Sequence, residues 1–167
     1  TAIWFVQRVG KESRLIDYYE TSGEGLEHYA KIIRDKPYVY EEHLVPHDAK
    51  VRELGTGKSR IETAMSLGFR MRVVPKLSLE DGIQATRLFL RNIWIDEKNC
   101  GRGLQALREY IKAPIENERG PSGEVLYRDR PKHNWASHGA DALRTLSVGM
   151  RPESMGEMKQ PDTRYIV

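Results

Sequence analysis

Ala2-Ile3-Trp4-Phe5-Val6, then Gly10-Lys11, then Ser13-Arg14-Leu15-Ile16-Asp17-Tyr18-Tyr19-Glu20 decide the fold class. The first run is rich in β-formers and almost continuously apolar, as expected of a strand covered on both faces. The second run carries Leu15, Ile16, Tyr18 and Tyr19. Two such runs joined by a short Gly-containing turn predict an antiparallel hairpin. Asp17, inside the second run, reads as an edge or solvent-facing acid.

Outward from the hairpin, strands and helices alternate. Gly23-Glu24-Gly25 breaks the second strand. Leu26, Tyr29, Ala30 and Ile33 then recur at i, i+3, i+4 and i+7, which predicts an amphipathic helix ending near Asp35-Lys36-Pro37. Residues 38–46 read as extended, with Leu44-Val45 at their apolar centre, and Pro46 disfavours helix at Val45. His47-Asp48 follows at once. An acid just past an apolar strand stands where open α/β sheets tend to place chemistry.

Gly55-Thr56-Gly57-Lys58-Ser59 has the look of a phosphate loop, but the full motif needs glycine where the chain has Arg52, and the residues before it are not strand-like. Ser59 and Glu62 instead have capping-box spacing for a helix carrying Ile61, Ala64 and Met65. Lys58, at that helix start, is a candidate DNA-phosphate contact. Gly68 ends the helix. A strand over 70–75 follows, then a helix opened by Ser78 and Asp81, then a strand over 92–96. Residues 97–101 read as a turn, and Leu104, Leu107, Tyr110 and Ile111 as the next helix.

Residues 113–134 read as irregular, punctuated by prolines and glycines, with a short strand at 125–127. They carry Arg119, Arg128, Arg130, Lys132 and His133, which suit a solvated loop or a nucleic-acid contact. Ser137-His138-Gly139-Ala140-Asp141-Ala142-Leu143-Arg144 then opens a last helix, with Leu143, Leu146 and Met150 at helical spacing. Asp141 lies roughly 160° around that helix from Leu143 at ~100° per residue, so it points away from the Leu/Met stripe. On its own it is an acid that favours the helix dipole. Its small neighbours leave room for a close approach by another backbone, a metal or a phosphate. Residues 151–167 read as a loose polar tail.

The 167 residues suffice for one domain with a core. A net charge of +3 permits a polyanionic partner without requiring one. No apolar run approaches the ~18 residues of a membrane span, no signal peptide is apparent, and Cys100 is alone, which fits a reducing compartment. The chain opens at Thr1 inside an apolar run, so a piece of a longer polypeptide is expected. Alternating elements over one core predict an α/β domain with a mixed sheet, the strand before Asp48 lying parallel within it.

Asp48 and Asp141 are remote in sequence yet could meet where a strand end faces a helix end. Carboxylates converging there need a divalent cation, and oxygen ligands suit Mg2+ or Mn2+. Two such ions support phosphodiester cleavage. Neither a zinc-type Cys/His cluster nor a nucleophile-elbow motif is present.

Leu44-Val45-Pro46-His47-Asp48-Ala49, Gly57-Lys58-Ser59-Arg60 and Ser137 to Arg144, in that order and spacing, resemble the C-terminal nuclease domain of phage terminase large subunits. The opening Thr1 to Phe5 resembles the end of that family's first strand motif. The resemblance spans residues 1 to about 150 and implies an RNase H-like fold of the retroviral integrase superfamily, with its first strand truncated at the N-terminus. It also implies a metal-dependent endonuclease that cuts concatemeric double-stranded DNA during packaging, in the cytoplasm of an infected or lysogenic bacterial host. An upstream ATPase domain, a portal and a small terminase subunit are the implied partners. Of the family's three metal-holding acids, Asp48 matches the second and Asp141 the third, and both are expected to be catalytic; the first falls before Thr1. These 167 residues alone are therefore expected to bind metal weakly and to cut poorly or not at all. His47 and His138 stand beside the two acids, and His138 is the candidate for orienting a carboxylate or water. Lys58, Arg128, Arg130 and Lys132 are the candidate DNA contacts. The alternatives are a non-catalytic DNA-binding or docking module with a degenerate nuclease fold, and another RNase H-like enzyme such as a resolvase or transposase.

Overall fold

The computed structural model describes residues 1–150 apart from 11, 53, 54 and 56, so the expected tail over 151–167 lies outside the described residues. In chain order the elements are β1 (Ala2–Val9), β2 (Glu12–Glu20), α1 (Leu26–Asp35), β3 (His43–Val45), α2 (Arg60–Ser66), β4 (Met71–Val73), α3 (Leu79–Phe89), β5 (Ile93–Ile95), α4 (Glu97–Glu109), β6 (Lys112–Arg119), β7 (Val125–Pro131) and α5 (Ala136–Gly149). The fold is mixed α/β: five helices with small mixed, parallel and antiparallel sheets. No helix among the described residues is long and apolar enough to cross a membrane.

β1 and β2 form the expected antiparallel hairpin, in register from Ala2 opposite Glu20 to Val9 opposite Glu12, with a bulge between Phe5 and Val6. The neighbours Trp4 and Phe5 are both buried, so β1 is covered on both faces. β5 adds to β2 in parallel and makes β2 the middle strand. Asp17 is consequently not solvent-facing: it is 7% exposed. Its carboxylate accepts hydrogen bonds from the Tyr18 backbone N–H at 2.8 Å and the Tyr38 hydroxyl at 3.2 Å, and pairs with Lys36. Those last two partners arrive from the segment after α1, which strand patterning does not reveal.

Three further expectations are corrected. β3 runs parallel to β4 in a separate two-stranded sheet and is not paired with the first hairpin. Residues 97–101 are not a turn but the start of α4, because Asp96 caps it, accepting from Lys98 N–H at 2.9 Å and Asn99 N–H at 3.1 Å. The helix runs on through Gly101, and Gly103 packs against Trp4 and Tyr18. Residues 113–134 are mostly a two-stranded antiparallel ribbon, β6 with β7, whose irregular register accommodates the internal Pro114. The capping box at Ser59 and Glu62 is present in both halves, and Ser78 caps α3 through Asp81 N–H.

Leu15, Cys100 and Leu143 are fully buried and, with Trp4, Tyr18 and Leu146, form the main core. α5 packs against β1, β3, α3 and α4. At one end the Trp4 indole N–H donates to Gly139 O at 2.9 Å; at the other, the Arg72 guanidinium donates to Gly149 O at 3.0 Å. The same Arg72 grips Glu42 and, helped by Arg8 and Arg70, holds that carboxyl below its usual range. One helix therefore ties the β1-β2-β5 and β3-β4 sheets together.

Candidate functional site

The start of α5 is set by the segment before it. Asn134 Oδ1 accepts from Ala136 N–H at 3.2 Å, and Ser137 Oγ accepts from Asn134 N–H at 3.1 Å while donating to Lys132 O. Trp135 donates through its indole to Glu109 at 3.1 Å and lies under the Arg102 guanidinium, 3.6 Å from the ring centre. Helix start, ribbon end and α4 end are thereby held in one corner.

In that corner lies a solvent-open hollow of about 180 Å³ lined by Leu79, Tyr110, Lys132, His133, Asp141 and Arg144, among others. Asp141 faces it, as the helical angle from the buried Leu143 predicts. Its nearest cation is Arg144, one turn on, at 3.0 Å. The Arg144 stem is laid against α3, where a Cβ on Gly82 would come within 2.7 Å of its Cδ. Burial, and then the Asp141 charge, push the Tyr110 hydroxyl's pKa up, with Arg144 acting the other way. The hollow thus combines one carboxylate with a lysine, an arginine and a histidine. It can present oxygen donors to a hard cation and positive charge to a phosphate.

Asp48 lies on a 3-10 turn, His47–Lys50, entered directly from β3 through Pro46, and is exposed. It does not line the hollow around Asp141. Of the candidate DNA contacts, Lys132 is brought to Asp141, whereas Arg128 and Arg130 lie exposed on β7. They alternate with Asp129, which Lys112 holds across the ribbon at 2.9 Å and so keeps below its usual pKa. Lys58 precedes the cap of α2, away from the lining. His138 and His47 are exposed, and neither lines the hollow. Among the described residues, no group of three or more His, Cys, Asp or Glu side chains is gathered to hold a metal ion.

Tyr110 and Arg144 were missed as site residues. For Arg144 a signal existed, since a residue at i+3 shares the helix surface with Asp141. Tyr110 enters only because the ribbon returns the chain to the end of α4, where Lys132 N–H donates to Ile111 O at 2.9 Å. Comparisons with protein-family models, curated proteins and solved structures find no match.

Proposed function

We propose that this chain is the metal-dependent endonuclease domain of a viral DNA-packaging terminase, RNase H-like in fold, which hydrolyses phosphodiester bonds of concatemeric double-stranded DNA. The observation that carries this is Asp141: a half-exposed carboxylate on the helix that backs both sheets, opening into a hollow rimmed by Lys132, His133 and Arg144. Asp48, exposed directly after β3 and outside that hollow, is added on the motif resemblance alone.

Each acid is a hard oxygen ligand of the kind Mg2+ or Mn2+ takes, but the hollow holds only Asp141, paired with Arg144, so the described residues do not by themselves make a metal site. In the parent domain that the resemblance implies, such an ion would supply an activated water and charge stabilisation at the leaving oxygen, with Asp48 and Asp141 as two of its ligands. The chain's own contribution is to hold Asp141 on a rigid helix and to draw the DNA backbone toward it with Lys132, with Arg128 and Arg130 extending that surface along the ribbon. The resemblance also places the first acid on the first strand, a few residues ahead of Thr1. Among the described residues β1 is paired on one side only, by β2, and β3 on one side only, by β4, and α5 backs both. The packaging ATPase, portal and small subunit, and the cytoplasm of a bacterial host, follow from the resemblance as the setting of this proposal.

A second reading, a DNA-docking module without catalysis, is favoured by the pairing of Asp141 with Arg144 and by the lack of a three-acid group among the described residues. Calorimetry with Mn2+ and nicking of supercoiled plasmid separate the two. Endonuclease ancestry predicts weak Mn2+ binding and slow nicking, both lost in Asp141→Asn and Asp48→Asn. Robust cutting that survives either substitution overturns the site. Salt-sensitive DNA binding with no Mn2+ uptake selects the docking module.

A further inference from the structure

We infer that the hollow at the start of α5 is an anion site: it takes one phosphodiester group without a metal ion, through Arg144 and Lys132, and Asp141 aims the arginine. This rests on the DNA partner common to both readings above, and on neither reading's treatment of metal.

The charges point to an anion. The lining holds one carboxylate, Asp141, against two permanent cations, Lys132 and Arg144, with His133 beside them. With the histidine neutral, two cations less one carboxylate leave a net charge of +1. That surplus repels a dication and matches the single negative charge of a phosphodiester. Tyr110 adds no negative charge, because burial and then Asp141 push its hydroxyl's pKa up and keep it protonated.

The donors are held in place before any ligand arrives. Arg144 Nη2 lies 3.0 Å from Asp141 Oδ1. A guanidinium has five N–H donors in a planar fork, and one carboxylate oxygen does not use them all. The arginine stem lies on α3, where a Cβ at Gly82 would meet its Cδ at 2.7 Å, and the side chain is only 29% exposed. An arginine fixed at stem and head has little rotamer freedom left to lose on binding. Asp141 is therefore a positioning residue here, and its charge offsets part of the attraction it helps to aim. The Lys132 backbone is fixed as well: its N–H donates to Ile111 O at 2.9 Å, and the Ser137 hydroxyl donates to its carbonyl at 3.2 Å. The hollow is about 180 Å³ and opens to solvent, so a phosphate within an unbroken strand can enter from the side.

The test is binding of a short DNA duplex in EDTA, followed by fluorescence anisotropy over a salt series, with thermal unfolding to confirm that each variant is folded. Arg144→Met keeps an apolar stem on Gly82 and is expected to weaken binding by about tenfold. It is also expected to flatten the dependence of log K on log salt by about 1. Arg144→Lys is expected to restore that slope but not the full affinity, since it keeps the charge and loses the fork. Asp141→Asn keeps an acceptor for the guanidinium and removes the charge, so binding is expected to tighten by about threefold. Asp141→Ala, which loses the acceptor too, is expected to bind more weakly than Asp141→Asn. Duplexes with 5′-hydroxyl and 5′-phosphate ends are expected to bind alike; a preference for the phosphorylated ends overturns the phosphodiester assignment. If the chain binds duplex but Arg144→Met changes neither affinity nor slope, or Asp141→Asn weakens binding, the anion site is wrong and the DNA readings stand. If the chain binds no duplex even at low salt, those readings fail. Titration with dimethyl phosphate, a small monoanionic diester, then decides the site by NMR. A shift of the Arg144 side-chain N–H resonance is expected, and its absence overturns the inference.

Discussion

Gly139 separates what a residue type announces from what it is for. A cluster of small residues around Asp141 signals a close approach, and there is one. A Cβ at Gly139 would come within 2.7 Å of the Tyr18 hydroxyl and 2.9 Å of the Ala106 Cβ. The space is taken by the protein's own interior, where Trp4 donates to the Gly139 carbonyl, and not by a metal or phosphate. Gly139→Ala is therefore expected to act as an overpacking substitution, lowering stability by about 1–3 kcal/mol in urea unfolding while leaving the chemistry of the nearby carboxylate intact. The same contrast holds for the acids. The outward direction of Asp141 was legible, because one buried Leu143 sets the phase of the whole helix. The burial of Asp17 was not, because Lys36 and Tyr38 meet it only after α1 has reversed the chain.

At the scale of elements, local chemistry served where a helix end is defined by its own side chains. Ser59 with Glu62, and Ser78 with Asp81, satisfy backbone donors within a single turn. Asp96 does the same for α4, but the run ending at Gly101 read as a turn and hid the cap. The β6–β7 ribbon was illegible for a different reason: its register is irregular and most of its side chains are exposed, so the period-two pattern that marks half-buried strands never develops. This ribbon joins α4 to α5 and carries Arg128 and Arg130 on one face. If it lies along DNA, replacing both arginines with glutamine should weaken duplex binding without regard to sequence. It should also flatten the dependence of log K on log salt by about 2, close to one unit for each phosphate that an arginine no longer neutralises. Anisotropy titrations over a salt series read both numbers, and an unchanged slope removes the ribbon from the interface.

Across the whole molecule, the division of the strands is the main outcome. β1-β2-β5 and β3-β4 are separate sheets, yet α5 spans both, through Trp4 on one side and Leu44 on the other. β1 is as apolar as an interior strand and pairs with β2 from Ala2 to Val9, yet among the described residues it has a strand partner on one side only. Edge strands usually carry charges or prolines that discourage further pairing, and the centre of β1, Trp4-Phe5-Val6, carries neither. Joining a designed Val/Thr-rich strand to Thr1 through an Asn-Gly turn should slow amide exchange in Ala2–Val9 and His43–Val45 together. A version with proline at alternate positions should slow neither. Protection that rises in β1 alone would mean that the two edges do not share one strand.

Hydrophobic period, capping residues and turn glycines determined on their own that this chain is an alternating α/β domain, where its first hairpin and most of its helices lie, and that Asp141 leaves the apolar stripe of the last helix. These are decided within a few residues of chain, by steric and hydrogen-bonding preferences that need no distant partner. Which sheet β3 joins, that Asp17 is buried in an ion pair, and that Lys132, Tyr110 and Arg144 surround Asp141 were decided only by tertiary structure. Each of those depends on segments far apart in sequence meeting around α5, and no local preference encodes which segment will arrive.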